Sequence, residues 1–168
     1  KLPALQRDTS CSTSGQSHPT LAASSQPPPS CGSSALVLAR VGVTLLIGVL
    51  SSPKNRAQRD AIRSSWMGWE SVPRRTLVCF VIGRLGVPHA LLESLERETA
   101  SFADILWLPS TSDGCYLTLS KVHDFWRAAA ARLHDGLRHV ARVDEDSFVH
   151  LPNLERDLRR LACYSHLF

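Results

Sequence analysis

The stretch Val41–Leu50, VGVTLLIGVL, decides the fold class, because its apolar and β-branched residues end at Ser51-Ser52-Pro53. A short apolar run bounded by turn residues is typical of a β-strand buried on both faces of a parallel sheet. The same kind of pattern predicts three more strands further along the chain. They are Thr76–Ile82, Asp104–Leu108, which Pro109 is expected to end, and His139–Val143.

Helical patterns separate these strands. The predicted helices cover Asn55–Trp66, a segment that begins at Pro88, Leu117–Leu133, and a segment from Pro152 through Leu161. Alternation of strands and helices predicts an α/β fold with a mostly parallel sheet and helices on both faces. Ligands of such sheets bind beyond the carboxyl ends of the strands. The apolar stripe of the third helix is expected to be Leu119, Val122, Trp126, Ala129 and Leu133.

The first 34 residues have a different composition from the rest. They are rich in Ser, Pro, Thr and Gln, and they cannot bury enough apolar surface to offset the entropy of ordering. We predict a flexible stem or linker over 1–34 and a partial domain over 35–168. The apolar run Ala35–Leu50 is shorter than the about 20 residues of a membrane span and contains Arg40. Any membrane anchor is therefore expected upstream of Lys1.

Charge and cysteine usage exclude two function classes. With 19 basic and 15 acidic residues, the net charge of +4 is mild and spread along the chain, which argues against a nucleic-acid-binding module. None of the five cysteines forms a C-x-x-C spacing, which argues against a zinc site. Cys79 lies in an apolar run and is expected to be a buried small hydrophobe. Cys115 and Cys163 could pair in an oxidising compartment.

Three acidic residues, Asp144-Glu145-Asp146, follow the fourth predicted strand directly. Neighbouring carboxylates repel one another, and a divalent cation would remove that cost. Hard cations such as Mg²⁺ and Mn²⁺ take oxygen ligands and leave positions for water or phosphate. In an extended stretch Asp144 and Asp146 project to one side, so both could bind one ion. The alternative is a solvated acidic turn balanced by a nearby arginine.

Three arginines, Arg56, Arg59 and Arg63, lie on one face of the first predicted helix. Like charges at this spacing destabilise a helix, so an anionic group is expected nearby. For Arg56 we prefer local compensation or solvation. Arg59 and Arg63 follow the first strand-to-helix loop, where helix N–H groups favour a phosphate. They could contact phosphate directly or support the site through carboxylates, and the sequence leaves both open.

Five short motifs occur in order between about residues 44 and 160. They are Arg59–Trp66 (RDAIRSSW), Phe80–Gly83 (FVIG), Glu98 with Asp104-Ile105, Asp113–Lys121, and Val143–Val149 (VDEDSFV). Their order and spacing resemble the β-1,3-galactosyltransferase-type enzymes of glycosyltransferase family 31, and Ser51 and Asn55 fit the stretch before the first motif. The chain departs from the family pattern at the middle acidic residue, Glu145, at Arg142, and at Cys115 and Leu117.

The resemblance implies a GT-A-like, Rossmann-related domain that binds a UDP-sugar, most often UDP-galactose or UDP-N-acetylglucosamine. It implies Mn²⁺ or another divalent cation held by Asp146 with help from Asp144, acting as a Lewis acid on the leaving diphosphate. The product would be a β-1,3 linkage to a glycan or glycoprotein acceptor. The donor-binding residues that it implies are Ser51, Arg59, Arg63, Asp113, Lys121 and Asp144.

Family members are Golgi type II membrane proteins with a lumenal domain, and the Ser- and Pro-rich arm fits their stem. Their general base lies further downstream, so it is expected beyond Phe168 and the chain is expected to be a donor-binding half. The competing hypothesis, from another class, is a catalytically inactive fragment or pseudoenzyme that acts as an interaction module.

Overall fold

A computed structural model describes residues 30–32, 42–113, 118–131 and 137–161. The described strands are β1 (Leu45–Leu50), β2 (Thr76–Leu85), β3 (Ile105–Ser112) and β4 (His139–Asp144). The described α-helices are α1 (Arg56–Ser64), α2 (His89–Phe102), α3 (Thr118–Ala130) and α4 (Leu151–Leu161), and a short 3-10 helix covers Trp66–Gly68.

The chain divides into two compact units. One unit, Gln26–Phe148, contains the sheet and the helices α1 to α3. The described part of the other unit is residues 149–161, which form α4 with Pro152 in its first turn, where a missing N–H is tolerated. No helix within the described ranges has the length and apolar character needed to cross a membrane.

The four strands form one parallel sheet in the order β3-β2-β1-β4. The central strand β1 pairs with β2 on one side and β4 on the other, so that Leu50 lies opposite both Val81 and Asp144. The chain steps outward from β1 to β3 and then returns to the far side of β1. A topological switch point therefore lies between β1 and β4, and the predicted α/β class with a parallel sheet is confirmed.

Helices cover both faces of the sheet, as the sequence predicts. On one face Phe125 of α3 belongs to a buried cluster that includes Cys79 of β2. On the other face the guanidinium carbon of Arg63 in α1 lies 4.9 Å from the ring centroid of Phe80. Cys79 and Phe80 are neighbours in one strand, and successive strand residues point to opposite faces.

Gly48, in the middle of β1, allows α3 to approach the sheet closely. A Cβ atom at this position would lie 2.4 Å from Cζ of the buried Phe125 ring. Any side chain at residue 48 would therefore collide with α3. Packing explains the glycine in this otherwise apolar strand.

Strand β3 continues through Pro109 to Ser112, so the expectation that Pro109 ends it is wrong. Proline cannot donate a ladder hydrogen bond, but an edge strand needs such donors on one side only. β3 is an edge strand of this sheet. Its register with β2 also shifts between Gly83 and Leu85, which accommodates the interruption.

The buried face of α3 differs from the predicted stripe. Leu119 is 84% exposed and Trp126 is 41% exposed, whereas Lys121, Phe125 and Ala129 are buried. Residues at i, i+4 and i+8 share one side of a helix, and here that side includes a lysine. The apolar pattern alone predicted a different buried face for α3, because it did not allow for a buried charged residue. The expectations for Cys115, Leu117, Leu133 and Cys163 lie outside the described residues.

One described part of the N-terminal arm is attached to the sheet. Cys31 is fully buried and forms a disulfide bond with Cys79 of β2, and its N–H donates to the Ala103 carbonyl at 2.9 Å. Cys31 is therefore fixed to the sheet, although it lies in the segment 1–34 that was expected to be flexible. Cys79 is buried as expected, and it is bonded to Cys31 in addition to packing in the core. Residues 1–29, 33 and 34 lie outside the described part of the chain.

Candidate functional site

A cavity of about 690 Å³ lies beyond the carboxyl ends of the strands. Its lining comes from the segments that follow β1, β2, β3 and β4, together with side chains of α2 and α3. The apolar side chains in the lining include Leu50, Leu85, Val87, Pro88 and Leu91. The polar and charged side chains include Ser51, Ser112, Asp113, Lys121, Asp144 and Glu145.

The cavity occupies the place where open α/β sheets bind ligands. The β1–α1 loop, which contains Ser51, forms one wall, and Asp144 and Glu145 at the end of β4 belong to another. β1 and β4 are the two strands that flank the switch point. The fold therefore brings together the two loops that the sequence singles out.

Lys121 and Asp113 form a buried ion pair in this cavity, with 10% and 9% of their side chains exposed. The Lys121 Nζ also donates to the Ser51 carbonyl at 2.6 Å, and the backbone N–H of Gly83 donates to Asp113 Oδ2 at 2.9 Å. Burial raises the pKa of Asp113, and the contacts with Lys121 and Gly83 offset that rise only in part. Lys121 is therefore buried, although a lysine is normally solvated.

Arg59 does not line the cavity but lies behind the loop that does. Its side chain is fully buried, and Nη1 donates to Ser51 Oγ at 3.1 Å and to the Ser52 carbonyl at 2.6 Å. Nε and Nη2 donate to the two carboxylate oxygens of Glu98 at 2.8 and 2.7 Å. These contacts correspond to the second of the two alternatives for Arg59, support of the site through a carboxylate.

Arg63 belongs to the same carboxylate network. It donates to both oxygens of Asp104 at 2.7 and 2.8 Å, to Glu98 at 2.7 Å and to Asp60 at 2.7 Å. Arg56 is balanced locally by Asp60, with Nε 2.8 Å from Oδ2, as expected for that position. The anionic groups that the arginine stripe requires are therefore carboxylates of α1, α2 and the residue before β3.

Of the three acidic residues at the end of β4, only Asp144 lies in the extended strand. Residues 145 and 146 form a turn, in which the Ser147 N–H donates to the Asp144 carbonyl at 3.0 Å. The expectation that Asp144 and Asp146 project together from an extended strand is therefore wrong. Among the described residues, Asp144 and Glu145 line the cavity, whereas Asp146 is exposed outside the lining.

Glu145 faces the cavity in a defined orientation. Its Oε1 accepts a hydrogen bond from Nδ2 of Asn55, which belongs to the β1–α1 loop. Its Oε2 is buried and has no hydrogen-bond partner within the described part of the chain. Asp144 is half-exposed, and its Oδ2 lies 3.6 Å from Nη2 of Arg142.

A metal ion at this site would have few protein ligands. No group of three or more His, Cys, Asp or Glu side chains in the described ranges is arranged to hold one. Asp144 and Asp146 offer two carboxylates, and hard cations accept phosphate oxygens and water as their remaining ligands. A cation here would therefore depend on phosphate oxygens and water for most of its ligands.

Four of the predicted site residues, Ser51, Asp113, Lys121 and Asp144, line one cavity. Sequence reasoning did not find the buried partner of the arginines, Glu98, which is 3% exposed. The available signal was its position on α2, three residues after the buried Leu95 and therefore on the same face of the helix. A charged residue on an inward face requires a partner of opposite charge.

Comparison with known proteins identifies similar chains. The family model described as galactosyltransferase matches residues 57–166. The chain is 36% identical over 114 residues to mouse (Mus musculus) N-acetyllactosaminide beta-1,3-N-acetylglucosaminyltransferase 4, covering 66% of this chain and 31% of that protein. It is 34% identical over 123 residues to dog (Canis lupus familiaris) beta-1,3-galactosyltransferase 4, covering 69% and 31% respectively. The chain thus spans about a third of the length of these curated relatives.

Proposed function

We propose that this chain, which belongs to the galactosyltransferase family, is the nucleotide-sugar-binding part of a β-1,3-hexosyltransferase. In this proposal a UDP-sugar occupies the cavity at the switch point, and galactose or N-acetylglucosamine is transferred to a glycan or glycoprotein acceptor. The names of the relatives, which include both sugars, support this choice of donors.

The observation that carries the proposal is the position and lining of the cavity. It lies beyond the carboxyl ends of parallel strands, and it combines an apolar wall around Leu85, Val87 and Leu91 with a polar wall around Ser51 and Asp144. A nucleotide-sugar also combines an apolar part with a polar part, because its flat base is attached to a charged diphosphate and a hydroxyl-rich sugar. Sites that bind such ligands are mostly apolar, with a few polar groups that fix orientation.

Lys121 is the residue that we propose for contact with the diphosphate. Its ammonium has three N–H donors, of which one is directed to the Ser51 carbonyl and one to Asp113. The third remains for a phosphate oxygen. Arg59 and Arg63 act indirectly in this proposal, because their donors hold the Ser51–Ser52 backbone and the carboxylates behind it.

Asp144 and Asp146 are the residues that we propose for holding Mn²⁺ or another divalent cation. When bound, the ion would supply Lewis acidity to the leaving diphosphate. Two carboxylates leave coordination positions for phosphate oxygens and water, as the family resemblance implies. The cation would also reduce the repulsion between the neighbouring carboxylates of the acidic turn.

We further propose a lumenal location in the Golgi membrane system. The Cys31–Cys79 disulfide bond supports this, because disulfides persist in oxidising compartments and are rare in the cytosol.

Isothermal titration of the chain with UDP tests the proposed function. UDP is expected to bind in the presence of Mn²⁺ and to lose affinity when EDTA is added or when Asp146 is replaced in Asp146→Ala. Glu70→Ala, at an exposed glutamate of the same unit, is the matched control and should bind as the wild type does. UDP affinity that EDTA leaves unchanged removes the role of the metal, and absence of UDP binding under every condition contradicts the proposed function.

A further inference from the structure

We propose that Asn55 is a positioning residue, which holds Glu145 so that its free carboxylate oxygen accepts a hydrogen bond from a hydroxyl group of the bound nucleotide-sugar. This inference rests on the proposed function and assigns roles to two residues of the cavity region. Asn55 acts through Glu145, and Glu145 is the residue that contacts the ligand.

The side chain of Asn55 does not cap helix α1, although its position at the start of the helix favours capping. Asn55 is the N-cap residue of α1, where an asparagine oxygen normally accepts a hydrogen bond from an N–H of the first helical turn. No such side-chain hydrogen bond is formed here. The amide instead donates to Oε1 of Glu145, which is 90 residues away in the sequence. The side chain of Asn55 therefore makes a contact across the switch point and forms no local capping interaction.

This contact joins the two loops that lie on either side of the switch point. Asn55 ends the β1–α1 loop, which its own N–H helps to close by donating to the Ser52 carbonyl at 3.1 Å. Glu145 begins the turn after β4. The hydrogen bond between them fixes where the glutamate carboxylate lies relative to Ser51, which lines the same cavity.

The second oxygen of Glu145 lacks a partner that a ligand can supply. Oε2 is buried and has no hydrogen-bond partner in the described ranges. A buried acceptor without a donor is unfavourable, and an ionised carboxylate can only accept hydrogen bonds. A ligand that satisfies Oε2 must therefore present an O–H or N–H group, and the hydroxyls of the ribose and of the hexose share this chemistry.

Substitution of Asn55 by serine separates positioning from helix capping. Serine is as good an N-cap residue as asparagine, so Asn55→Ser should keep the stability of α1. Its short hydroxyl side chain lacks the amide donor that reaches Glu145. Gln58→Ala, at an exposed amide residue of the same helix, is the matched control.

The test is calorimetric binding of UDP and of UDP-galactose to the chain, with EDTA and with Mn²⁺, for wild type, Asn55→Ser, Glu145→Ala and the double variant. We expect Asn55→Ser and Glu145→Ala each to weaken UDP-galactose binding by about tenfold, as expected when a hydrogen bond to a charged group is lost. The double variant should bind no more weakly than Glu145→Ala, because Asn55 acts only through Glu145. Urea unfolding should show that Asn55→Ser remains folded under the conditions of the titration.

The two ligands distinguish the source of the hydroxyl. Equal losses for UDP and UDP-galactose assign the contact to the ribose, and a loss confined to UDP-galactose assigns it to the hexose. The inference is overturned if Asn55→Ser binds both ligands as Gln58→Ala does, or if the two losses add in the double variant. A wild-type chain that binds neither ligand contradicts the proposed function itself.

Discussion

Arg59 and Glu98 form a buried bidentate ion pair, in which the Arg59 Nε and Nη2 atoms lie 2.8 and 2.7 Å from the two carboxylate oxygens of Glu98. Only 1% and 2% of the two side chains is exposed. The remaining nitrogen of Arg59 donates to Ser51 and Ser52. The pair therefore connects helix α2 to the loop that forms one wall of the cavity.

Removal of Glu98 should destabilise the whole fold. Glu98→Ala leaves Arg59 as an unpaired buried charge, and loss of one partner of a buried ion pair costs about 3–5 kcal/mol. Glu93→Ala removes an exposed glutamate of the same helix and should change the free energy of unfolding by less than about 0.5 kcal/mol. Urea denaturation measures both. A Glu98→Ala variant as stable as Glu93→Ala would contradict a structural role for the pair.

The same ion pair should make stability depend on pH in the acid range. Burial alone would raise the pKa of Glu98, but hydrogen bonds from Arg59 and Arg63 hold it below its usual value of 4.5. A carboxyl group whose pKa is lower in the folded state stabilises the fold above its unfolded pKa, and this contribution is lost as the pH falls through the folded pKa. The free energy of unfolding should therefore fall below pH 4.5 more steeply in the wild type than in Glu98→Gln. Parallel pH profiles of the two proteins would show that Glu98 does not titrate as proposed.

Gly48 should be intolerant of any side chain. Gly48→Ala places a Cβ atom 2.4 Å from Cζ of the buried Phe125 ring, and overpacking of a core typically costs about 1–3 kcal/mol. Gly68→Ala is the matched control, because a Cβ atom there meets nothing within 4 Å. Thermal unfolding should show a lower midpoint for Gly48→Ala only. If Phe125 causes the clash, Phe125→Leu should recover part of the stability of Gly48→Ala, and an unchanged loss would point elsewhere.

The strands were predictable because their signal is local. β1 is a run of six buried residues, and its apolar letters and the Ser-Ser-Pro that follows define it without reference to the rest of the chain. The sequence also placed Ser51 and Asp144 at the carboxyl ends of strands, which was sufficient to locate the cavity. What the sequence could not give was the strand order, because pairing of β4 with β1 joins segments about 90 residues apart.

The parts of the site that were not predicted depend on contacts between distant segments. The burial of Lys121 follows from Asp113 and the Ser51 carbonyl, and neither partner lies in the same helix. The orientation of Glu145 follows from the turn after β4 and from Asn55. A charge pattern within one helix could indicate that Arg59 needs an anion, but it could not distinguish a phosphate from Glu98.

The disulfide bond between Cys31 and Cys79 should stabilise the sheet by restricting the unfolded chain. Its ends are 48 residues apart in the sequence, and the chain-entropy relation gives about 4 kcal/mol for a loop of that length. Cys31→Ser should therefore lower the free energy of unfolding, and dithiothreitol should lower that of the wild type by a similar amount. Because both sulfurs belong to fully buried residues, the bond should resist dithiothreitol in the folded state and be reduced only in urea. Mass spectrometry of peptides from the unreduced chain should recover Cys31 linked to Cys79, and recovery of both as free thiols would contradict the bond.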